Sequence, residues 1–230
     1  IMRDLLQASL NGVKWMCRFD FVSMFWQIPL AQESRKLFCF HAGDLGTFCF
    51  NRVAMGALNS SAYSQKVMSR IFQEVTQADG TPLLHNGLLI NTDDVLLYAK
   101  DQDEMLRRLE LFMRTVAEHH LAIHPGKAEF FCKETIYCGL HVSRSGITVD
   151  PDRLTALRNV SPPRNLGDVW QFNAAAGWIR RDMPLFSESS AILTSLVTNA
   201  LKGVKGRRNL AAARKITLDK AGWGPTHQAT

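Results

Sequence analysis

Three carboxylates define the chemistry open to this chain: Asp20, closing the run WMCRFD, and the adjacent pair Asp93 and Asp94 inside GLLINTDDVLLYAK. Apolar, strand-like runs do not carry acids for packing. An isolated ionised carboxylate in such surroundings is costly, so acids there are expected to be paired, protonated or bound to a cation. Clustered carboxylate oxygens suit hard divalent cations, and two such cations can clamp the attacking and leaving oxygens of a phosphoryl transfer. Magnesium is the natural expectation. An Asp-Asp pair by itself is equally at home in a solvated hairpin turn, so the elements around the acids have to decide.

Residues 13–21 (VKWMCRFDF) read as an aromatic-rich strand ending in Asp20, and 36–50 (KLFCFHAGDLGTFCF) as two strands joined by a turn at Gly43, Asp44 and Gly46. Residues 59–75 open with cap-type residues and place Tyr63, Val67, Ile71 and Val75 every fourth position, which predicts a helix with that face. The run 87–100 is two short apolar segments around the acidic pair, a second hairpin with Asp93 and Asp94 at its tip. Asp101 and Glu104 form a capping-box pattern ahead of Met105, Leu109, Phe112 and Val116 at helical spacing. Short strands broken by His124, Pro125, Gly126 and Gly146 follow over 120–149. Asp150 and Pro151 then start a short helix that Pro162 and Pro163 end. Beyond Asn165 the periodicity is helical only, with one stripe at Val169, Phe172, Ala176 and Ile179 and another at Ile192, Leu193, Leu196 and Val197. The expected class is α+β, helices packed on an antiparallel sheet and followed by a mainly helical region.

Composition sets the outer bounds. With 230 residues, 46% of them apolar and 21% charged, the chain can bury a real core. Its apolar stretches are broken within about ten residues, short of the ~20 needed for a membrane helix. No secretion signal opens the sequence, and the chain is expected to start inside a longer protein. Five cysteines (Cys17, Cys39, Cys49, Cys132 and Cys138) show no zinc spacing. Cys39 and Cys49 flank the first hairpin and can face each other, but free thiols acting as small buried hydrophobes are the expectation. Seven basic residues and one acid between 202 and 220 account for the whole formal net charge of +6. That run reads as a solvated linker, with a nucleic-acid contact as the other reading.

The residues around both acidic motifs resemble those of reverse transcriptases from long-terminal-repeat retrotransposons of the Ty3/gypsy group, nearly end to end. Phe19 to Ile28 (FDFVSMFWQI) match the form Leu-Asp-Leu-x-Ser-Gly-Tyr-x-Gln-Ile, with Asp20 as the metal-binding acid, Gln27 in its place and Phe25 as the aromatic beside the sugar. Ala54 to Gln65 (AMGALNSSAYSQ) match the next block, where Met55 and Gly56 fall on the substrate-binding loop and Gly56, Asn59 and Gln65 keep their places. Asn91 to Asp94 match Tyr-x-Asp-Asp, with Asn91 replacing the aromatic, and Met24 replaces the small residue of the first motif. Pro125, Lys127, Glu129 and Phe130 resemble Asn-Pro-x-Lys-Cys-x-Phe. Tyr137, Cys138 and Gly139 resemble the Phe-Leu-Gly primer grip. Trp223, His227 and Ala229 resemble the lead-in to a ribonuclease H domain.

The resemblance implies a polymerase palm with partial fingers and thumb start over 1–149, a helical thumb and connection over 150–201, and a basic linker over 202–230. It implies an RNA-directed DNA polymerase that uses RNA or DNA template with primer and deoxynucleoside triphosphates, beside the remaining polyprotein domains and without a membrane. Replication in cytoplasmic particles is the setting the family suggests. Asp20 and Asp93 would hold two Mg2+ ions, or Mn2+, with Asp94 completing the acidic site. Lys127 would protonate the departing pyrophosphate, and Phe25 would reject a 2′-hydroxyl. Fingers-domain Lys and Arg that hold the triphosphate are expected ahead of the first motif. Two further readings stay open: a catalytically inactive retroelement remnant with at most weak nucleic-acid binding, and a two-metal nuclease, which has no use for a sugar-screening Phe25.

Overall fold

The computed structural model describes residues 2–204 and 210–228, so Lys205, Arg207 and Arg208 of the basic run lie outside the described residues. The chain separates into two compact units, Ile1–Ile147 and Thr148–Thr230. In chain order the first unit holds α1 (Met2–Ser9), β1 (Trp15–Asp20), the one-turn helices α2 (Met24–Gln27) and α3 (Gln32–Arg35), and the short hairpin β2 (Cys39–His41) and β3 (Thr47–Cys49). It continues through α4 (Ser60–Gln73), β4 (Leu88–Asn91), β5 (Asp94–Ala99), α5 (Gln102–Glu118), β6 (Glu129–Cys132), β7 (Glu134–Tyr137) and β8 (Leu140–Ser143). β9 (Gly146–Val149) runs through the division.

The central sheet has the order β4-β5-β1-β6, with β1 antiparallel to both β5 and β6. Because side chains alternate along a strand, its two faces carry different sequences. Cys17, Phe19, Val95, Leu97 and Ala99 point to one side and join Met68 and Phe72 of α4 and Met105, Phe112 and Val116 of α5 in the main core. Met16, Leu89, Leu96 and Tyr98 point to the other, where Leu6 of α1, Tyr137 and Val142 cover them. The Phe112 ring stacks on Phe19 at 4.9 Å and on Phe72 at 5.5 Å, so it joins the sheet to both helices.

The cap of α5 forms as expected at its first position, where the Asp101 carboxylate accepts from the Glu104 N–H at 2.8 Å. Glu104 reaches one residue further back, to the Lys100 N–H at 2.7 Å, and pairs with Arg108 at 2.8 Å. In α4 the buried face is Ser60, Ser64, Met68 and Phe72, one residue round from the expected stripe. Tyr63 is 47% exposed, while Ile71 and Val75 pack at the edge of the core. A stripe of three or four residues fixes a helix's existence better than its rotation, because adjacent stripes differ by only about 100°.

The cysteine expectation is corrected at two positions. Cys39 and Cys49 are bonded as a disulfide. They are direct cross-strand partners in the β2–β3 ribbon, every residue of which is exposed, so that hairpin has no interior in which to hide a thiol. Cys17 follows the expectation. It is fully buried, its thiol donates to the Met105 sulfur at 3.6 Å, and burial pushes its pKa up.

The second unit contains α6 (Pro151–Arg158), α7 (Leu166–Ala176), α8 (Phe186–Ala200), α9 (Leu210–Ala213), α10 (Leu218–Ala221) and α11 (Pro225–Gln228). Asp150 caps α6 by accepting from the Asp152 N–H, and Asn165 caps α7 by accepting from the Asp168 N–H. Leu166, Val169, Leu193, Leu196, Val197 and Leu201 form its core with Ala213. A Cβ at Gly167 would stand 2.5 Å from the Arg214 Cγ and 3.1 Å from its backbone nitrogen, so glycine lets the residue that follows α9 lie close against α7. The basic linker expected over 202–230 is thereby corrected for 210–228. Ala213 is fully buried, and Leu218, Ala221 and Trp223 pack on the same core, because this stretch carries apolar residues between its charges.

Among the described residues no helix is long and apolar enough to cross a membrane. Phe112→Ala is expected to lower the stability of the chain by about 3–5 kcal/mol, since it removes the ring shared by sheet and helices. Urea unfolding with an unchanged denaturant slope and a midpoint shifted down is the check; an unmoved midpoint would show that the aromatic stack is not what joins the layers.

Candidate active site

The register of three strands assembles the site. Asp20 is the direct partner of Asp94, and Asp94 is the direct partner of Asn91, so Asn91, Asp94 and Asp20 form one row across β4, β5 and β1. Direct cross-strand partners lie on the same face, here the face away from α4 and α5. The next row inward is Leu89, Leu96 and Arg18, with Glu129 beyond. Arg18 donates to Glu129 at 3.2 Å, and its positive charge partly offsets the field on Asp94.

Asp93 sits in the turn between β4 and β5, outside the ladder. Its backbone carbonyl accepts from the Phe21 N–H at 2.9 Å, carrying the pairing of the two acidic segments one step past the strand ends. Thr92 before it is left-handed at φ 53, and its hydroxyl donates to the Asp93 carboxylate at 3.0 Å. The tip is braced from α4. Gln65 accepts from the Thr92 N–H at 2.7 Å while its amide nitrogen donates to the Ile90 carbonyl at 3.2 Å. The motif marks Gln65 without assigning it work. Its one visible signal is a neutral amide on a helix that packs against an apolar hairpin.

Lys127 reaches Asp20 because the intervening loop is sewn along the end of β1. The Val22 N–H donates to the Ala122 carbonyl at 2.9 Å, the His124 N–H donates to the Asp20 carbonyl at 2.8 Å, and a single 3-10 turn follows over Pro125–Lys127. The Lys127 ammonium then contacts both Asp20 oxygens at 3.1 Å. Burial, followed by the charge of Asp93, holds the Asp94 carboxyl above its ordinary value. Among the described residues no group of three or more His, Cys, Asp or Glu is arranged to hold a metal ion as the side chains stand.

The remaining expected residues fall into two groups. Tyr137, Cys138 and Gly139 adjoin the acids: Asn91, the ladder partner of Asp94, donates to the Cys138 sulfur at 3.3 Å. Burial and the Asp94 charge push that thiol up to about 12, and burial also raises the Tyr137 phenol. Phe25 is half-buried on α2, one turn beyond the end of β1. Met55 is 64% exposed, and a Cβ at Gly56 would meet nothing within 4 Å, so that loop stands open.

Gln27, expected to bind substrate, has its side-chain amide engaged by backbone. Its amide nitrogen donates to the Val22 and Ala122 carbonyls, and its amide oxygen accepts from the Ala122 N–H at 2.7 Å. With both ends of the amide engaged by backbone, Gln27 is a strut that ties α2 to the loop carrying Lys127.

The family model described as reverse transcriptase (RNA-dependent DNA polymerase) matches residues 2–142. The chain is similar to the retrovirus-related Pol polyprotein from transposon gypsy of Drosophila melanogaster, 22% identical over 215 residues that cover 94% of this chain and 20% of the polyprotein. It is 26% identical over 199 residues to the Pol polyprotein of feline endogenous virus ECE1, covering 84% of this chain and 18% of that one. Among solved structures it resembles the foamy viral protease-reverse transcriptase dRH in complex with double-stranded DNA, with TM-score 0.72, 19% identity, and coverage of 94% of this chain and 33% of that chain. The likeness to that structure is one of fold, in keeping with the α+β class. The chain spans about a fifth of the curated polyproteins and a third of the solved chain. The family match runs through Asp20, the Asp93 and Asp94 hairpin and Lys127, and the chain therefore belongs to the reverse transcriptase family, with its resemblance to the Ty3/gypsy retrotransposon group supported by relatives of the gypsy kind.

Proposed function

We propose that this chain supplies the polymerase function of a retrotransposon polyprotein, adding deoxynucleotides to a primer 3′ end on an RNA or DNA template. The observation that carries this reading is the row Asn91, Asp94 and Asp20 on the sheet face opposite the helices, with Asp93 at the adjoining tip. Two solved relatives in complex with double-stranded DNA and with RNA/DNA hybrid support nucleic acid as the partner. In this reading the first unit is a palm with part of the fingers, and the second belongs to thumb and connection.

The donor set fits a hard divalent cation. Three carboxylates supply only oxygen ligands, and burial followed by the charge of Asp93 already raises Asp94, a cost that a cation would relieve. The ammonium of Lys127 on both Asp20 oxygens marks the same appetite for positive charge. Asp20 and Asp93 would hold the Mg2+ or Mn2+ ions, with Asp94 completing the site. When bound, these ions neutralise the triphosphate and favour ionisation of the primer 3′-hydroxyl.

The chain's own residues do the rest by positioning. Gln65 holds the backbone on either side of Asn91, so Asp93 and Asp94 keep their aim. The turn at Cys138 and Gly139 receives the primer end beside Asp94. Attack by the 3′ oxygen forms the new bond to the α-phosphorus and breaks the α–β phosphoanhydride bond. Lys127, at the edge of the site and 53% exposed, donates its proton to the departing pyrophosphate. Phe25 on α2 fills the space that a 2′-hydroxyl would need, which selects deoxynucleotides, and the open loop at Met55 and Gly56 lets backbone approach the nucleotide.

Three outcomes are expected. On poly(rA)/oligo(dT) with labelled dTTP and Mg2+ or Mn2+, the folded chain extends the primer and Asp93→Asn abolishes extension; activity near that of the native chain in the variant would sink the assignment. A folded native chain that extends nothing, even with a fingers segment from a related element restored, would favour the inactive-remnant reading, to which Asn91 in place of the aromatic points. In a separate incorporation assay, Phe25→Val admits ribonucleotides, and unchanged sugar discrimination would remove Phe25 from its role.

The third concerns stability. With its folded pKa raised, Asp94 contributes stability that is fully present below the ordinary carboxylate range and lost as pH rises through the raised value. In chelator at neutral pH, Asp94→Asn is therefore expected to be the more stable form while losing activity. Thermal melts should show the gap closing as pH falls; a gap that widens toward acid would contradict the sign.

A further inference from the structure

The β7–β8 connection is two residues, Cys138 and Gly139, between the paired Tyr137 and Leu140. Both have positive φ, 50° and 73°. A tight hairpin with two left-handed residues prefers Asn-Gly, Asp-Gly or Gly-Gly, because a short polar side chain can bond locally and glycine has no Cβ to strain. A cysteine has neither advantage. Its support comes from a residue 47 positions away, as the Asn91 amide donates to the Cys138 sulfur at 3.3 Å. Asn91 is in turn the direct cross-strand partner of Asp94.

The two hairpins that meet here are each rigidly seated. Tyr137 and Val142 are fully buried in the cluster that contains Leu89 and Leu96, so the turn stands over the sheet face that carries the acids. Asn91 shares its row with Asp94 and Asp20. Both partners are also this chain's own departures: Asn91 stands where the motif has an aromatic, and Cys138 where the primer-grip motif has leucine.

We propose that Asn91 and Cys138 are a pair of positioning residues, a side-chain latch between the acidic hairpin and the β7–β8 turn that sets where a primer 3′ end stands relative to Asp20, Asp93 and Asp94. The placement of the primer rests on the polymerase reading; the latch itself is a contact between two hairpins and is measurable without turnover.

Two measurements on the full chain test it. The first is native-state alkylation by iodoacetamide, read by peptide mass spectrometry. Asn91→Ala should speed labelling of Cys138 several-fold and leave the fully buried Cys17 protected, which separates a released latch from a loosened fold. Unchanged labelling of Cys138, or equal gains at both cysteines, would overturn the latch. The second is single-nucleotide addition by the native chain, Asn91→Ala, Cys138→Ala, the double variant and Cys138→Ser. A misplaced reacting atom slows the chemical step, so each single alanine variant should lower kcat roughly 10- to 100-fold. KM for the nucleotide should stay put, the double variant should be no worse than either single, and Cys138→Ser, which keeps an acceptor at the same atom, should recover most of the loss. Multiplying losses in the double variant, or single variants within about twofold of native, would overturn the positioning role. A folded native chain that extends no primer, with Cys138 still exposed by Asn91→Ala, would overturn the polymerase reading and its primer placement while leaving the contact itself established.

Discussion

The antiparallel pairing of β1 with β5 is the constraint on which the rest of the molecule depends. Its register sets Phe19 against Val95 and Asp20 against Asp94. Because the side-chain period is two, this one alignment sends the aromatic and aliphatic residues under α4 and α5 and leaves the acids on the other face. A slip of a single residue would bury Asp20 in the Phe19 and Phe112 core and expose the phenylalanines. Register, core and site therefore stand or fall together, and the stacked rings of Phe19, Phe72 and Phe112 hold the acids in place as surely as any residue that touches them.

The cost of gathering carboxylates shows in how they are held. Asp94 is half-buried beside Asp93 and Asp20, and its carboxyl is pushed toward the protonated form. Lys127 and Arg18 answer part of that repulsion from opposite sides of the row, the first by direct contact with Asp20 and the second through the field on Asp94. Gln65 secures the tip through backbone atoms only and occupies none of the carboxylate oxygens itself. In such an arrangement a nearby positive charge lowers the cost of keeping the carboxylates ionised.

The two units differ in how their elements are secured. In the first, long-range pairing and ring stacking dominate. In the second, capped helices at Asp150 and Asn165 surround a small aliphatic core, and a close approach at Gly167 lets α9 join it. The disulfide between Cys39 and Cys49 belongs to the one hairpin of the first unit whose strand residues are all exposed.

Local pattern alone was enough to locate the strand ending in Asp20, the acidic hairpin, the α5 cap at Asp101, the proline-marked start of α6 and the apolar stripe of α8, because each depends on residues within a turn or two of one another. The motifs also pointed to the carboxylates and to Lys127. Tertiary structure decided what depends on partners far apart in the chain. The rotation of α4 followed from the sheet it packs on, and the state of Cys39 and Cys49 from a cross-strand register. Gln27 is a strut because a backbone segment 95 residues away engages its amide. The contact between Asn91 and Cys138 arose where two separately seated hairpins meet. Composition and spacing record which groups a chain owns; only the folded register decides which of them share a face, and chemistry needs them on the same one.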